Sequence, residues 1–167
     1  TAVATVEAER RKELDSGRWN QERERWLKLA AAAGAGAGST RQLAAAGANS
    51  VRTWGADDIG GLLDEAHALG LSVTVGIWLG HERHDFDYSD KAQFSEQFER
   101  ARQAVLRYRD HPAVLLWGIG NEMEGFGDGD DPVIWTAVNR VAAMVKELDP
   151  HHPTMTVTAF VHGQHGA

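Results

Sequence analysis

The stretch V-L-L-W-G-I-G-N-E-M-E, Val114 to Glu124, decides how this chain is read. Val114 to Trp117 is a short apolar run of strand type, and Gly118 and Gly120 loosen the backbone behind it. Asn121 and Glu122 then place an amide beside a carboxylate where the strand should end. A parallel sheet presents a catalytic acid in this way, at the carboxyl end of a strand.

Outward from that stretch, strands and helices alternate. Upstream, Phe94, Phe98, Ala101 and Val105 recur at helical spacing and predict an amphipathic helix to about Arg109. His81 to Asp90, H-E-R-H-D-F-D-Y-S-D, is a polar and aromatic loop, long for a strand-to-helix connection. Leu71, Val73, Val75 and Ile77 alternate with Ser72, Thr74, Gly76 and Trp78, which predicts a strand over Leu71 to Trp78. Asp57 is expected to cap a helix with the stripe Ile59, Leu62, Leu63, Ala66 and Leu69, closed by Gly70. Asn49 to Trp54 reads as a strand, with Val51 and Thr53 on one face and Ser50, Arg52 and Trp54 on the other. Ser39 is expected to cap a helix to about Ala46, ended by Gly47. Trp26 to Ala33 reads as a short buried strand, and residues 1–25 as a charged helical or irregular lead-in. Downstream, Pro132 suits a first helical position for the stripe Ile134, Val138, Val141, Val145 and Leu148. Pro153 to Thr158 reads as a fifth strand with three threonines on one face. Such alternation implies a parallel sheet with right-handed crossovers: a (β/α)₈ TIM barrel over residues 26–167, or a doubly wound α/β sheet binding a phosphorylated ligand.

Composition narrows the function classes. The 167 residues carry a net charge of -7 with no basic cluster, which argues against nucleic acid and suits a neutral partner such as a carbohydrate. No apolar run approaches the roughly 18 residues of a membrane span, so no membrane association is expected and the protein is read as soluble, with export open. The absence of cysteine excludes disulfides and thiolate chemistry. Gly34 to Gly38 lacks the spacing of a phosphate loop, and Gly127 to Asp131 lacks that of a calcium loop. No cofactor and no metal is expected.

The unusual side chains fall at three successive predicted strand ends: Arg52 and Trp54, then Trp78, His81 and His84, then Asn121, Glu122 and Glu124. Glu122 is the candidate general acid/base, and Asn121 can hold a substrate hydroxyl. Arg52, in an otherwise apolar strand, is expected to find a carboxylate at the mouth of the sheet. His81 and His84, three residues apart without a third ligand, suit hydrogen bonding to sugar or solvent better than metal binding. Trp54, Trp78 and Trp117 offer flat faces for stacking on sugar rings, although Trp117 reads equally as core. Glu124 reads equally as a substrate contact or as a solvated carboxylate.

The run L-L-W-G-I-G-N-E, Leu115 to Glu122, resembles the fourth-strand motif of the clan A glycoside hydrolases. N-S-V-R-T-W-G, Asn49 to Gly55, is similar to their second strand, and the family 2 type is the nearest in pattern. The resemblance implies a retaining mechanism with two carboxylates about 5 Å apart. It implies Glu122 as acid/base, Asn121 on the sugar 2-hydroxyl, Arg52 orienting the nucleophile, and His81 with the tryptophans lining the donor subsite. In that clan the nucleophile follows the seventh strand, whereas the last glutamate here is Glu147, in a predicted helix. Neither Glu124 nor Asp85 occupies the nucleophile position. The chain is therefore expected to be the first four βα units of a barrel plus a fifth strand, inactive alone and prone to self-association through unpaired edges. The rival from another class is a non-catalytic carbohydrate-binding barrel fragment that never had a nucleophile.

Overall fold

In a computed structural model, residues 38–124 and 131–158 are described. The chain divides into two compact units, Thr1–Gly47 and Ala48–Ala167. The expected strand at Trp26 to Ala33 and the boundary at residue 25 lie outside the described residues. So does most of the loop from Gly125 to Asp131.

The described part of the first unit is helix α1, Gly38–Ala45. Ser39 lies inside it rather than capping it. Gly47 ends it as expected, with φ +88° and its N–H donated to the Ala44 carbonyl at 3.0 Å.

The second unit is a parallel four-stranded sheet in the order β1 (Ser50–Arg52), β2 (Ser72–Ile77), β3 (Val114–Ile119), β4 (Thr154–Met155). Between the strands run α2 (Gly60–Ala68), α3 (Lys91–Tyr108) and α4 (Pro132–Leu148). Sequential strands are neighbours, as in the barrel and not in a doubly wound sheet, where the order reverses. Val73, Val75 and Ile77 of β2 are buried with Leu63 and Ala66 of α2, Ala101 and Val105 of α3, and Val141 and Val145 of α4.

Several local expectations need correction. The first two described strands and the last are shorter than their sequence patterns; Trp54 and Trp78 lie beyond the paired residues and are exposed at the mouth. Asp57 does not cap α2: the cap position is Ile59, with no side-chain hydrogen bond, and Leu69 of the expected stripe is exposed. Helices α3 and α4 are side-chain capped, α3 by Asp90 and α4 by Asp131 with Pro132 behind it.

Register decides the fate of Trp117. Val73 pairs with Val114, but Thr74 pairs with Leu116, so Leu115 is an extra residue. Trp117 consequently aligns with Val75, on the side of the buried valines. It is fully buried, and its Nε1–H donates to the Asp149 carboxylate at 2.8 Å. Trp117 is therefore core, and the expectation that it stacks on substrate fails. Asp149 also accepts from the His152 ring at 2.7 Å and from the His151 and His152 backbone, which ties the end of α4 to the start of β4.

Candidate active site

The carboxyl ends of β1, β2 and β3 bring together seven of the residues singled out from sequence. Arg52 closes β1, and its guanidinium donates to the Asn121 amide oxygen at 2.5 Å. Among the described residues its side-chain hydrogen-bond partner is thus an amide beyond β3, where a carboxylate was expected. The guanidinium also lies 6.0 Å from the centre of the Trp54 ring. Trp54 and Trp78 stack with ring centres 6.1 Å apart and planes 19° from parallel, both exposed, at 65% and 43%. Two large apolar faces kept in water at a strand mouth suit a ligand with an apolar face of its own.

Gly76 makes this arrangement possible. A Cβ there would sit 2.3 Å from the Thr53 carbonyl oxygen and 2.7 Å from the Trp54 backbone, so β1 crosses β2 where only hydrogen fits. The Gly76 N–H donates to Thr53 Oγ1 at 3.0 Å, fixing the crossing.

His81 follows β2 and is almost fully buried. Its ring lies 5.3 Å from the Trp78 ring and 6.1 Å from that of the exposed His84. Burial, then the charges of Arg83 and His84, hold its pKa below the ordinary histidine value, against a backbone hydrogen bond with Asn121 and the Glu122 charge. The ring is therefore neutral at neutral pH, and its Nε2 is buried without a protein partner among the described residues. Among those residues no cluster of three or more His, Asp or Glu could hold a metal.

Asn121 is buried and Glu122 half-buried. The turn that presents them contains two left-handed residues, Gly120 at φ +69° and Glu122 at φ +53°. A non-glycine residue rarely adopts this conformation, and such strain concentrates at functional positions. It is held by the Gly120 N–H donated to Ile77 at 2.9 Å and the Glu122 N–H donated to Val157 at 2.7 Å. Glu124 is half-buried two residues further on.

The family model for glycosyl hydrolases family 2, TIM barrel domain, matches residues 43–164. The chain belongs to this family. Relatives include the mannan endo-1,4-β-mannosidase F of Aspergillus clavatus, 34% identical over 106 residues that cover 64% of this chain and 21% of that protein. A probable mannan endo-1,4-β-mannosidase C of Aspergillus terreus is 32% identical over 95 residues, 50% of this chain and 23% of that protein. A solved family 2 member from Bacteroides cellulosilyticus superposes with TM-score 0.57 at 28% identity, over 74% of this chain and 16% of that structure. The β-D-glucuronidase of Dictyoglomus thermophilum shares the fold, with TM-score 0.59 at 22% identity over 72% of this chain and 22% of that one. The chain thus spans about a fifth of the length of the curated relatives it matches.

Membership of family 2 fits the TIM-barrel order of the sheet. Two residues behind the site escaped the sequence: Gln97, mid-helix in α3, and Tyr88, in the long loop, are both buried against the Gly80 peptide. The one available signal for Gln97 was its place on the buried stripe of α3, three residues after Phe94 and four before Ala101.

Proposed function

We propose that the chain carries the acid/base half of a retaining glycosidase site, with the nucleophile supplied from outside these 167 residues. In the first step the Glu122 carboxyl gives its proton to the glycosidic oxygen as the bond to the anomeric carbon breaks and the nucleophilic carboxylate takes that carbon. In the second step the Glu122 carboxylate takes a proton from water, whose oxygen displaces the nucleophile. Asn121 holds the sugar 2-hydroxyl. Because Arg52 occupies the amide oxygen, the side-chain NH₂ is the end left for the sugar, as a donor. Arg52 both fixes that amide and stands ready to orient the nucleophile. Trp54 and Trp78 supply the stacking surface, and His81, with His84 at the rim, supplies hydrogen bonds. Glu124 is assigned to the same mouth.

The convergence of Arg52, at the end of β1, on Asn121 and Glu122, just past the end of β3, beside the exposed tryptophan pair, supports this reading. β-Linked mannan is the first substrate to test, since the mannan endo-1,4-β-mannosidases are the curated relatives in view. The test compares the polypeptide extended through a seventh strand with its Glu122→Ala variant on mannan and on an activated aryl β-mannoside. Loss of about 10²- to 10⁴-fold on mannan is expected, with less on the activated substrate, whose leaving group needs no proton. Added azide should rescue the variant and give a glycosyl azide of retained configuration. Equal cleavage of mannan by both proteins removes Glu122 from the role.

A further inference from the structure

His81 sits on a backbone that is gripped from both sides. The Gly80 N–H donates to Gln97 Oε1 at 2.6 Å, and the Gly80 carbonyl accepts from the Tyr88 hydroxyl at 2.6 Å. Both gripping side chains are more than nine-tenths buried, and they come from different elements, Gln97 from α3 and Tyr88 from the loop before it. Phe86 closes the third side: a Cβ on Gly80 would meet its side chain at 2.3 Å, and its ring lies 4.7 Å from Tyr88. The His81 carbonyl accepts from His84 at 2.8 Å and from Phe86 at 3.3 Å. A buried glutamine in mid-helix costs desolvation unless its polar atoms are used; here the carbonyl is spent on a single peptide, while Nε2 has no partner among the described residues.

We propose that Gln97 and Tyr88 are positioning residues for this site: they clip the Gly80 peptide and thereby fix the His81 ring against Trp78 with Nε2 directed to a sugar hydroxyl. The role of His81 rests on the glycosidase assignment above; the clip itself does not. Tyr88 is suited to the task, because burial, with a further push from Glu82, raises its pKa to about 12. It remains a donor throughout the neutral range. Without the clip the first residue of the loop from His81 to Asp90 would rest on the His84 and Phe86 backbone bonds and on the ring's hydrogen bond with the Asn121 backbone.

The experiment is imidazole nitrogen NMR on the ¹⁵N-labelled chain, with the His81 signals assigned by their loss in His81→Gln. Native His81 is expected to show one tautomer and to titrate below the ordinary histidine value, with Arg83, His84 and Glu122 as the charges facing it. Tyr88→Phe, which deletes one oxygen, and Gln97→Met, which deletes the acceptor at similar volume, should shift that titration upward and abolish the single-tautomer pattern. Gln97→Glu keeps an acceptor for the Gly80 N–H and should restore the pattern. Variants that lower the melting temperature while leaving the His81 spectrum native overturn the proposal, since that is the signature of packing alone. Tyr88→Phe serves as the folded arm if Gln97→Met melts. Spectra that respond to the clip variants but not to added methyl β-mannoside sustain the clip and count against the sugar subsite instead.

Discussion

Replacing Gly76 by alanine should separate a general tolerance of the sheet from the specific crossing that builds the mouth. The new Cβ would stand 2.3 Å from the Thr53 carbonyl oxygen, with the Trp54 carbonyl carbon and oxygen at 2.7 Å, and all three are backbone atoms that no rotamer change can move. Restoring an ordinary contact requires the end of β1 to retreat by about 1 Å. That retreat stretches two hydrogen bonds, Gly76 N–H to Thr53 Oγ1 and Thr53 N–H to the Thr74 carbonyl, each 3.0 Å long. Overpacking costs about 1–3 kcal/mol and each weakened bond about 1 kcal/mol, while alanine in a strand returns up to about 1 kcal/mol of backbone entropy. The expected net loss is about 2–4 kcal/mol. Gly118 is the control, one strand over and opposite Gly76 in register. A Cβ there meets nothing closer than the Thr74 methyl at 3.7 Å, so Gly118→Ala should lie within about 1 kcal/mol of wild type. Urea unfolding reads the stability difference as a midpoint drop of about 1 M or more for Gly76→Ala. Far-ultraviolet circular dichroism reads the geometry, because the Trp54–Trp78 stack should give an exciton couplet that Gly76→Ala weakens and Gly118→Ala retains. Equal midpoints for the two variants, or an unchanged couplet in Gly76→Ala, would refute the crossing as the device that sets Trp54.

Three further outcomes follow from single side chains. Burial alone would raise the Asp149 pKa, but hydrogen bonds from Trp117, the His152 side chain and the His152 backbone outweigh it and hold the carboxyl below its ordinary value. Its contribution is therefore complete above the unfolded value of about 3.9 and is lost as pH falls through the lower folded value; Asp149→Asn should flatten that acid limb and cost about 1–3 kcal/mol at neutral pH in urea melts. Glu122→Gly relieves a left-handed backbone at φ +53° and should stabilise the chain by about 1 kcal/mol, seen as a higher melting temperature, while deleting the proposed acid/base. Asp131→Ala removes the acceptor for the Val133 N–H at 2.8 Å and should cost about 1 kcal/mol, with faster hydrogen exchange confined to the first turn of α4.

The order of the elements and the place of the site were legible because they follow from periodicity and from where polar residues interrupt it. β2 alternates over its whole length, so the side chains facing the helices could be counted off directly. The helices announced themselves by their stripes, α3 and α4 more fully than α2, whose Leu69 is exposed although it has the right spacing. At β3 the same method had nothing to count. V-L-L-W is apolar at every position, and parity in such a run can be reversed by one unpaired residue, here Leu115. That bulge sends Trp117 to the helix side and Asp149, which from sequence alone could not be matched to any partner thirty residues away.

The chemistry of the site was less legible than its location, for a related reason. Arg52 was expected to need a carboxylate because charge is the first partner considered for a guanidinium, yet an exposed arginine can accept a neutral partner, and Asn121 is that partner. The consequence reaches the reaction. The guanidinium sets which way the Asn121 amide faces, and in the proposed reaction this leaves its NH₂ to donate to a sugar hydroxyl. Glu122 is likewise committed, by a left-handed backbone that the Val157 carbonyl holds in place from the strand that follows. Each of the two motif residues is thus held from another part of the sheet, the Asn121 amide from β1 and the Glu122 backbone from the segment after β4. A motif of two adjacent letters acquires its geometry only when the sheet has assembled on both sides of it.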